Sequence, residues 1–383
     1  MRIAISGMFW GLPNVGSGQY LRGLLGGLAR AAPEHELLLL VPGYQRGPEL
    51  PGRKLAGQLS IVGVPTPLDW RGANLAKLWF EQVAAPAAAA RLRADLLHVP
   101  YFAPPLRSRV PVVASVLDLI PLLLPEYRGG AKVRAYMRVV ARAARRASQV
   151  IAISEASRRD IIARLGCDPA RVTTTPLAAG EQYRPVERAA AKAAERYGLR
   201  GPLVYYVGGL DARKNLPMLL RAWARLRRAG GPPATLVLAG RALGGDPQLF
   251  PDLEPLIDAL GVRESIARVD VPHADGPLLY SAASVFVYPS RYEGFGLPPL
   301  EAMACGAPAV VSSASSLPEV AGDAALLVHP DDEAGWAAAI WRLLADPRLH
   351  TELRQRGLER AAQFSYDRVA RATLRVYAAA LAR

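Results

Sequence analysis

The sequence predicts an α/β protein made of two tandem, doubly wound parallel-sheet domains. Three observations predict it. The chain has 383 residues, which suits two domains of ordinary size. Short runs that are hydrophobic throughout alternate with longer amphipathic segments, as strands covered by helices on both faces require. The alternation then starts afresh after Arg184-Pro185, where the charge balance also changes. Residues 1–184 hold 24 basic and 12 acidic side chains, whereas residues 185–383 hold 23 and 21.

In chain order, the first series places strands at residues 2–6, 36–41, 59–64, 95–99, 111–117 and 149–154. Amphipathic helices are expected between them at residues 19–32, 73–93 and 131–148. The second series places strands at residues 203–207, 234–239, 266–270, 285–288, 309–312 and 325–328, followed by a mostly helical segment from Glu333 to Arg383. The expected division is residues 1–182, residues 183–365, and a C-terminal helix at 366–383 packing back on the first domain.

Composition narrows the chemistry. Hydrophobic residues make up 51% and charged residues 21%, which excludes disorder and coiled coil. Two distant cysteines, Cys167 and Cys305, exclude a disulfide framework and a cysteine zinc site. No run reaches the roughly 18 apolar residues of a membrane span, and Met1–Gly7 reads as a first strand and turn. A cytoplasmic location is therefore expected. The net charge of +14 leaves nucleic acid and anionic membrane as candidate partners, but aromatics total 7%, too few to interleave with a basic nucleic-acid face.

In such folds ligands sit beyond the carboxyl ends of strands, and three loops there carry candidate chemistry. Asn14–Tyr20, with Gly16 and Gly18, opens the first helix and reads either as an anion cradle or as a tight turn. Gly208 and Gly209 follow the first strand of the second series, and Arg213 with Lys214 follow them. That segment is either a diphosphate cradle or a solvated charged turn. The densest segment, Pro289–Gly306, puts Glu293 on a glycine loop and Glu301 about one turn into the next helix. Exposed amides at Phe295, Gly296 and Leu297 could bind ligand oxygens there.

Glu293 and Glu301, with seven residues between them in E-G-F-G-L-P-P-L-E-A-M-A-C-G-A-P, resemble the signature of the retaining family 4 glycosyltransferases of GT-B fold. The resemblance extends to Ile151–Glu155, the Arg213-Lys214 turn, Tyr280–Ser284 and Ser316–Val320, and looks most like the bacterial O-antigen-type mannosyltransferase branch. It implies two Rossmann-like domains facing a cleft and a nucleoside diphosphate sugar as donor. Glu301 would bind the ribose hydroxyls, and Glu293 would lie beside the donor sugar and its phosphate. The amides of 295–297 would hold the sugar and phosphate, Arg213 and Lys214 would neutralise the diphosphate, and Gly16 would close over the phosphates. No D-x-D triplet occurs, so neither a metal nor another cofactor is expected. A GT-B sugar-nucleotide epimerase is the competing enzymatic reading, and a non-catalytic basic protein the competing non-enzymatic one.

The chain departs from the family at Leu117, where many relatives carry a histidine before the aspartate, here Asp118. Asp118 reads either as a donor-site residue or as a helix cap. Finally, Arg134, Arg138, Arg142, Arg145 and Arg146 align on one face of the helix at 131–148. They mark either an anionic membrane surface beside a glycan or lipid-linked acceptor, or a solvated face. Val133, Met137, Val140 and Ala144 are expected on the face that packs on the sheet.

Overall fold

The structure, a computed structural model, describes residues 1–12, 15–43, 58–69, 73–241 and 244–382. Asn14 lies outside the described residues. The chain divides into two compact units, Met1–Leu177 with Ser365–Arg383, and Ala178–Phe364.

Among the described residues, the first unit holds a sheet of seven parallel strands: β1 (Arg2–Ser6), β2 (Glu36–Pro42), β3 (Leu59–Val64), β4 (Leu96–Val99), β5 (Val112–Val116), β6 (Gln149–Ala152) and β7 (Val172–Thr174), in the order 3-2-1-4-5-6-7. The second holds six: β8 (Leu203–Val207), β9 (Thr235–Ala239), β10 (Ile266–Val269), β11 (Val285–Tyr288), β12 (Ala309–Ser312) and β13 (Ala325–Val328), in the order 10-9-8-11-12-13. Both are the doubly wound arrangement, and the strand order reverses beside β1 in one sheet and β8 in the other. The central strands are hydrophobic throughout because helices cover both faces. Ile3, Ala4, Ile5, Leu39 and Leu40 have no exposed surface, nor have Val285, Phe286, Val287 and Tyr288.

Three local features differ from the sequence expectation. β7 was not anticipated, because Val172–Thr174 is short and only its valine is buried. The single helix expected at 73–93 is instead Ala73–Trp79, a π-turn at Phe80–Ala84, and Ala85–Arg91. Val133 is 44% exposed and does not pack on the sheet, whereas Met137, Val140, Ala143 and Ala144 of the same helix, Ala131–Arg146, are buried.

The last helix, Tyr366–Leu381, packs against Gly16–Ala31 within the first unit. A chain of polar groups ties it to the sheet. The Tyr377 hydroxyl lies 2.7 Å from Nδ1 of His98, whose Nε2 lies 2.8 Å from Oγ of Ser115, which in turn lies 3.0 Å from the Tyr20 hydroxyl. All four residues are buried, so each depends on its partners. Burial lowers the His98 imidazole to about 3, so it stays neutral in the folded protein. The unfolded chain binds that proton below about pH 6.5, so stability from this site falls as pH drops from there towards 3. Replacing Tyr377 with Phe leaves a buried ring nitrogen unpartnered and is expected to cost about 1–3 kcal/mol in urea unfolding of the first unit. An unchanged midpoint would show that the chain of hydroxyls does not hold the last helix.

Candidate functional site

At the switch point of the second sheet, two loops leave the carboxyl ends of β8 and β11. The first runs through Gly208 and Gly209 into a single 3-10 turn, Ala212–Lys214, and then the helix Leu216–Arg228. Asn215 joins the two in a left-handed conformation, φ 60°, and its Nδ2 donates to the Pro330 carbonyl at 2.6 Å. Arg213 and Lys214 therefore precede the helix rather than lying inside it.

The second loop runs from Pro289 to Gly296 and feeds the helix Leu297–Ala304, with Pro298 in its first turn. Gly296 turns the chain with φ 115°, and a Cβ there would come within 2.7 Å of the Leu317 side chain. Only glycine meets both demands. Ser315 and Ser316 reach across from the loop after β12. The Ser315 hydroxyl donates to the Glu293 carbonyl at 2.6 Å, and Oγ of Ser316 lies 2.6 Å from the Phe295 carbonyl. Phe295 is buried with its ring at the edge of Phe364.

The two loops meet through charge. A single oxygen of Glu293, Oε1, accepts from Lys214 Nζ at 2.6 Å, Arg213 Nη1 at 2.7 Å, Ser290 Oγ at 2.7 Å and the Tyr288 hydroxyl at 3.0 Å. Arg213 also pairs with Asp211 through Nε at 3.1 Å, and Lys214 donates to the Tyr288 hydroxyl at 2.5 Å. Burial alone would raise the Glu293 carboxyl, but the ammonium of Lys214 and the guanidinium of Arg213 outweigh it and hold it at about 2. Burial lowers Lys214 despite the same partner. Two cations and two carboxylates thus form a compact, formally balanced cluster beside a helix N-terminus.

Glu301 lies in a separate environment on the following helix. It is 6% exposed, and Oε2 accepts from the Tyr280 hydroxyl at 2.8 Å. Burial pushes its carboxyl up to about 7, partly opposed by hydroxyl hydrogen bonds from Tyr280 and Tyr183. The two glutamates thus have opposite electrostatics: Glu293 is fixed as an anion, while Glu301 is poised to titrate near neutrality.

Gly208, Gly209, Arg213, Lys214, Glu293, Phe295, Gly296, Leu297 and Glu301 therefore share the second unit. Gly16, Gly18 and Asp118 belong to the first. Gly16 opens the helix Gly16–Ala31, and a Cβ on Gly18 would come within 1.9 Å of the Leu12 carbonyl oxygen. Asp118 follows β5 and accepts from the Ile120 amide at 3.1 Å, opening the short helix Ile120–Leu123. Residue-by-residue reading missed Tyr288, Ser290 and Asp211, which complete the charge cluster, and Tyr183, which flanks Glu301. Tyr280 and Ser316 lie within the motif segments, and Tyr280, a polar group in an otherwise hydrophobic run, is the one that sequence pattern could have singled out. Among the described residues, no group of three His, Cys, Asp or Glu side chains is placed to hold a metal ion, and no helix is long and apolar enough to cross a membrane.

The chain matches two family descriptions, Glycosyltransferase Family 4 over residues 15–179 and Glycosyl transferases group 1 over residues 188–361. It is 35% identical over 286 residues to O-antigen chain mannosyltransferase B of Escherichia coli, covering 74% of each protein. In fold it is similar to sucrose-phosphate synthase from Thermosynechococcus elongatus, with a TM-score of 0.74 and 24% identity over 99% of this chain and 98% of that one. It is also similar to Anabaena Alr3699/HepE in complex with UDP and glucose, with a TM-score of 0.73 and 20% identity over 99% of both chains. Two Rossmann-like units, the paired glutamate motif and these matches together make the chain a member of the family 4, group 1 glycosyltransferases of GT-B fold.

Proposed function

We propose that the protein is a retaining, metal-independent hexosyltransferase that moves a mannose-like sugar from a nucleoside diphosphate to a glycan, lipid-linked or small-molecule acceptor. The observation that carries this reading is the cluster in which Glu293 gathers Arg213 and Lys214 at the carboxyl ends of β8 and β11. A leaving diphosphate develops negative charge, and fixed cations beside a helix N-terminus stabilise it without a metal. Glu293 acts here as the group that holds both cations in one place. The name of the Escherichia coli relative supports mannose, and UDP in the Anabaena structure supports a nucleotide donor. Retention follows from attack on the donor face the diphosphate leaves, with the departing phosphate taking the acceptor proton.

Glu301 is assigned the ribose hydroxyls, and Phe295, Gly296 and Leu297 the sugar and phosphate oxygens through their amides. Gly208 and Gly209 give the diphosphate close approach to backbone. Arg134, Arg138, Arg142, Arg145 and Arg146 are all exposed on Ala131–Arg146. An anionic membrane attracts each by about 1 kcal/mol at close range, which supports a peripheral location where lipid-linked acceptors reside.

Incubating the protein with nucleoside diphosphate sugars and an acceptor lipid tests the reaction. Diphosphate release that EDTA leaves unchanged, with the donor's anomeric configuration kept in the product by NMR, is expected. Loss of turnover in EDTA, restored by magnesium, contradicts the metal-free reading, and an inverted product contradicts retention.

Nucleotide affinity should also follow the ionisation of Glu301, because only the carboxylate accepts two ribose hydroxyl bonds. With burial raising the group to about 7, binding is expected to weaken up to about ten-fold between pH 8 and 6. Glu301→Ala should weaken binding by about 1.5–3 kcal/mol at pH 8, and Glu301→Gln should flatten the pH profile. Calorimetry showing the same profile in Glu301→Gln would reject the assignment.

A further inference from the structure

The helical segment 73–91 carries an apolar face that is exposed among the described residues. Leu75, Leu78, Trp79 and Val83 are 52%, 40%, 39% and 44% exposed. They make up four of the nine large hydrophobic residues exposed among the described residues, and a fifth, Val133, lies on the helix Ala131–Arg146. Single exposed hydrophobics need no explanation, but a cluster on one face does. Spacings of three and four put Leu75, Leu78 and Trp79 in one stripe, and Val83 continues it from within the π-turn Phe80–Ala84. The opposite face is anchored, since Phe80 is fully buried and Glu81 accepts from the Tyr136 hydroxyl of Ala131–Arg146 at 2.8 Å.

Towards its C-terminal end the stripe runs into a groove of about 1210 Å³, floored by Val83, Pro86, Ala87 and Ala90. Arg91, Arg93, Arg107 and Arg109 line the same groove. All four are exposed, and none has an acidic partner among the described residues. Apolar side chains beside unneutralised arginines complement a surface that is negative outside and hydrocarbon within.

We infer that this face docks on an anionic lipid bilayer: Leu75, Leu78, Trp79 and Val83 enter the headgroup–acyl boundary while the four arginines take lipid phosphates. Trp79 suits that depth, because an indole keeps a polar N–H at the wet side of the boundary. The inference rests on the peripheral location proposed above and adds to its arginine helix a second, inserting element. The two differ in salt dependence, because exposed charges are screened at about 1 M salt whereas apolar insertion is not.

Sedimenting the full chain with phosphatidylglycerol or phosphatidylcholine vesicles, at low salt and at about 1 M salt, separates them. Binding to phosphatidylglycerol is expected to persist in part at high salt. Leu75→Ser, Trp79→Ser and Val83→Ser together should reduce that residual binding at least about ten-fold. Brominated lipids should quench the wild-type protein more than Trp79→Phe, a readout that does not depend on the triple variant folding. Wild-type binding by a folded triple variant, or equal quenching of the two proteins, overturns the inference. If changing Arg134, Arg138 and Arg142 to Gln abolishes low-salt binding while the apolar changes do nothing, the arginine helix alone holds the membrane and the inserting face is rejected. If the apolar changes abolish binding and those arginine changes do not, the inserting face stands without the arginine helix.

Discussion

One carboxylate oxygen organises the second unit's ligand end. Glu293 Oε1 receives four donors, from two loops that are nearly 80 residues apart in the chain. Each contact restrains a different piece: Lys214 and Arg213 fix the turn before one helix, and Ser290 and Tyr288 fix the strand end before the other. A buried charge of this kind is tolerated only when paired and hydrogen-bonded, so the loops are obliged to meet. The free energy of removing four polar groups from water is thereby spent on geometry. On the function proposed above, the two cations would stand ready where a diphosphate leaves, with no reorganisation as charge develops.

Glu301 shows the opposite use of burial. Among the described residues no cation is paired with it, and the hydroxyls of Tyr280 and Tyr183 hydrogen-bond to it. Desolvation dominates and raises its carboxyl, where at Glu293 Coulombic attraction dominates and lowers it. Two glutamates one helical turn and a loop apart are thus pushed in opposite directions, Glu293 down to about 2 and Glu301 up to about 7. In the role proposed for it at the ribose, Glu301 would exchange hydroxyl partners with the ligand, which a carboxyl close to neutrality does more readily than one locked to a cation.

Much of the fold was legible because its central strands are buried on both faces and read as unbroken hydrophobic runs; β2, β8 and β11 are examples. The edge strand β7 was not, because Val172–Thr174 is short and mostly polar and is recognised only by its pairing with β6. The π-turn at Phe80–Ala84 leaves no mark in residue periodicity, and Val133 fits a helical spacing yet remains 44% exposed. At the candidate site, glycines, glutamates and the Arg213-Lys214 pair could be singled out from local pattern. That Glu293 pairs with those same cations could not, since only the approach of β8 to β11 brings them together. Tyr183 is more remote still from Glu301 in sequence, and its ring packs against Tyr280 beside the carboxylate.

The claim that Glu293 and the cations work as one unit is tested most directly by a double-mutant cycle on kcat/KM with Glu293→Gln, Lys214→Met and the double variant. If Glu293 acts by holding Lys214, the double variant should be scarcely worse than the poorer single one, with a coupling of about 1–3 kcal/mol. Effects that add to within about 0.5 kcal/mol would show that the two residues act independently, and would contradict the account.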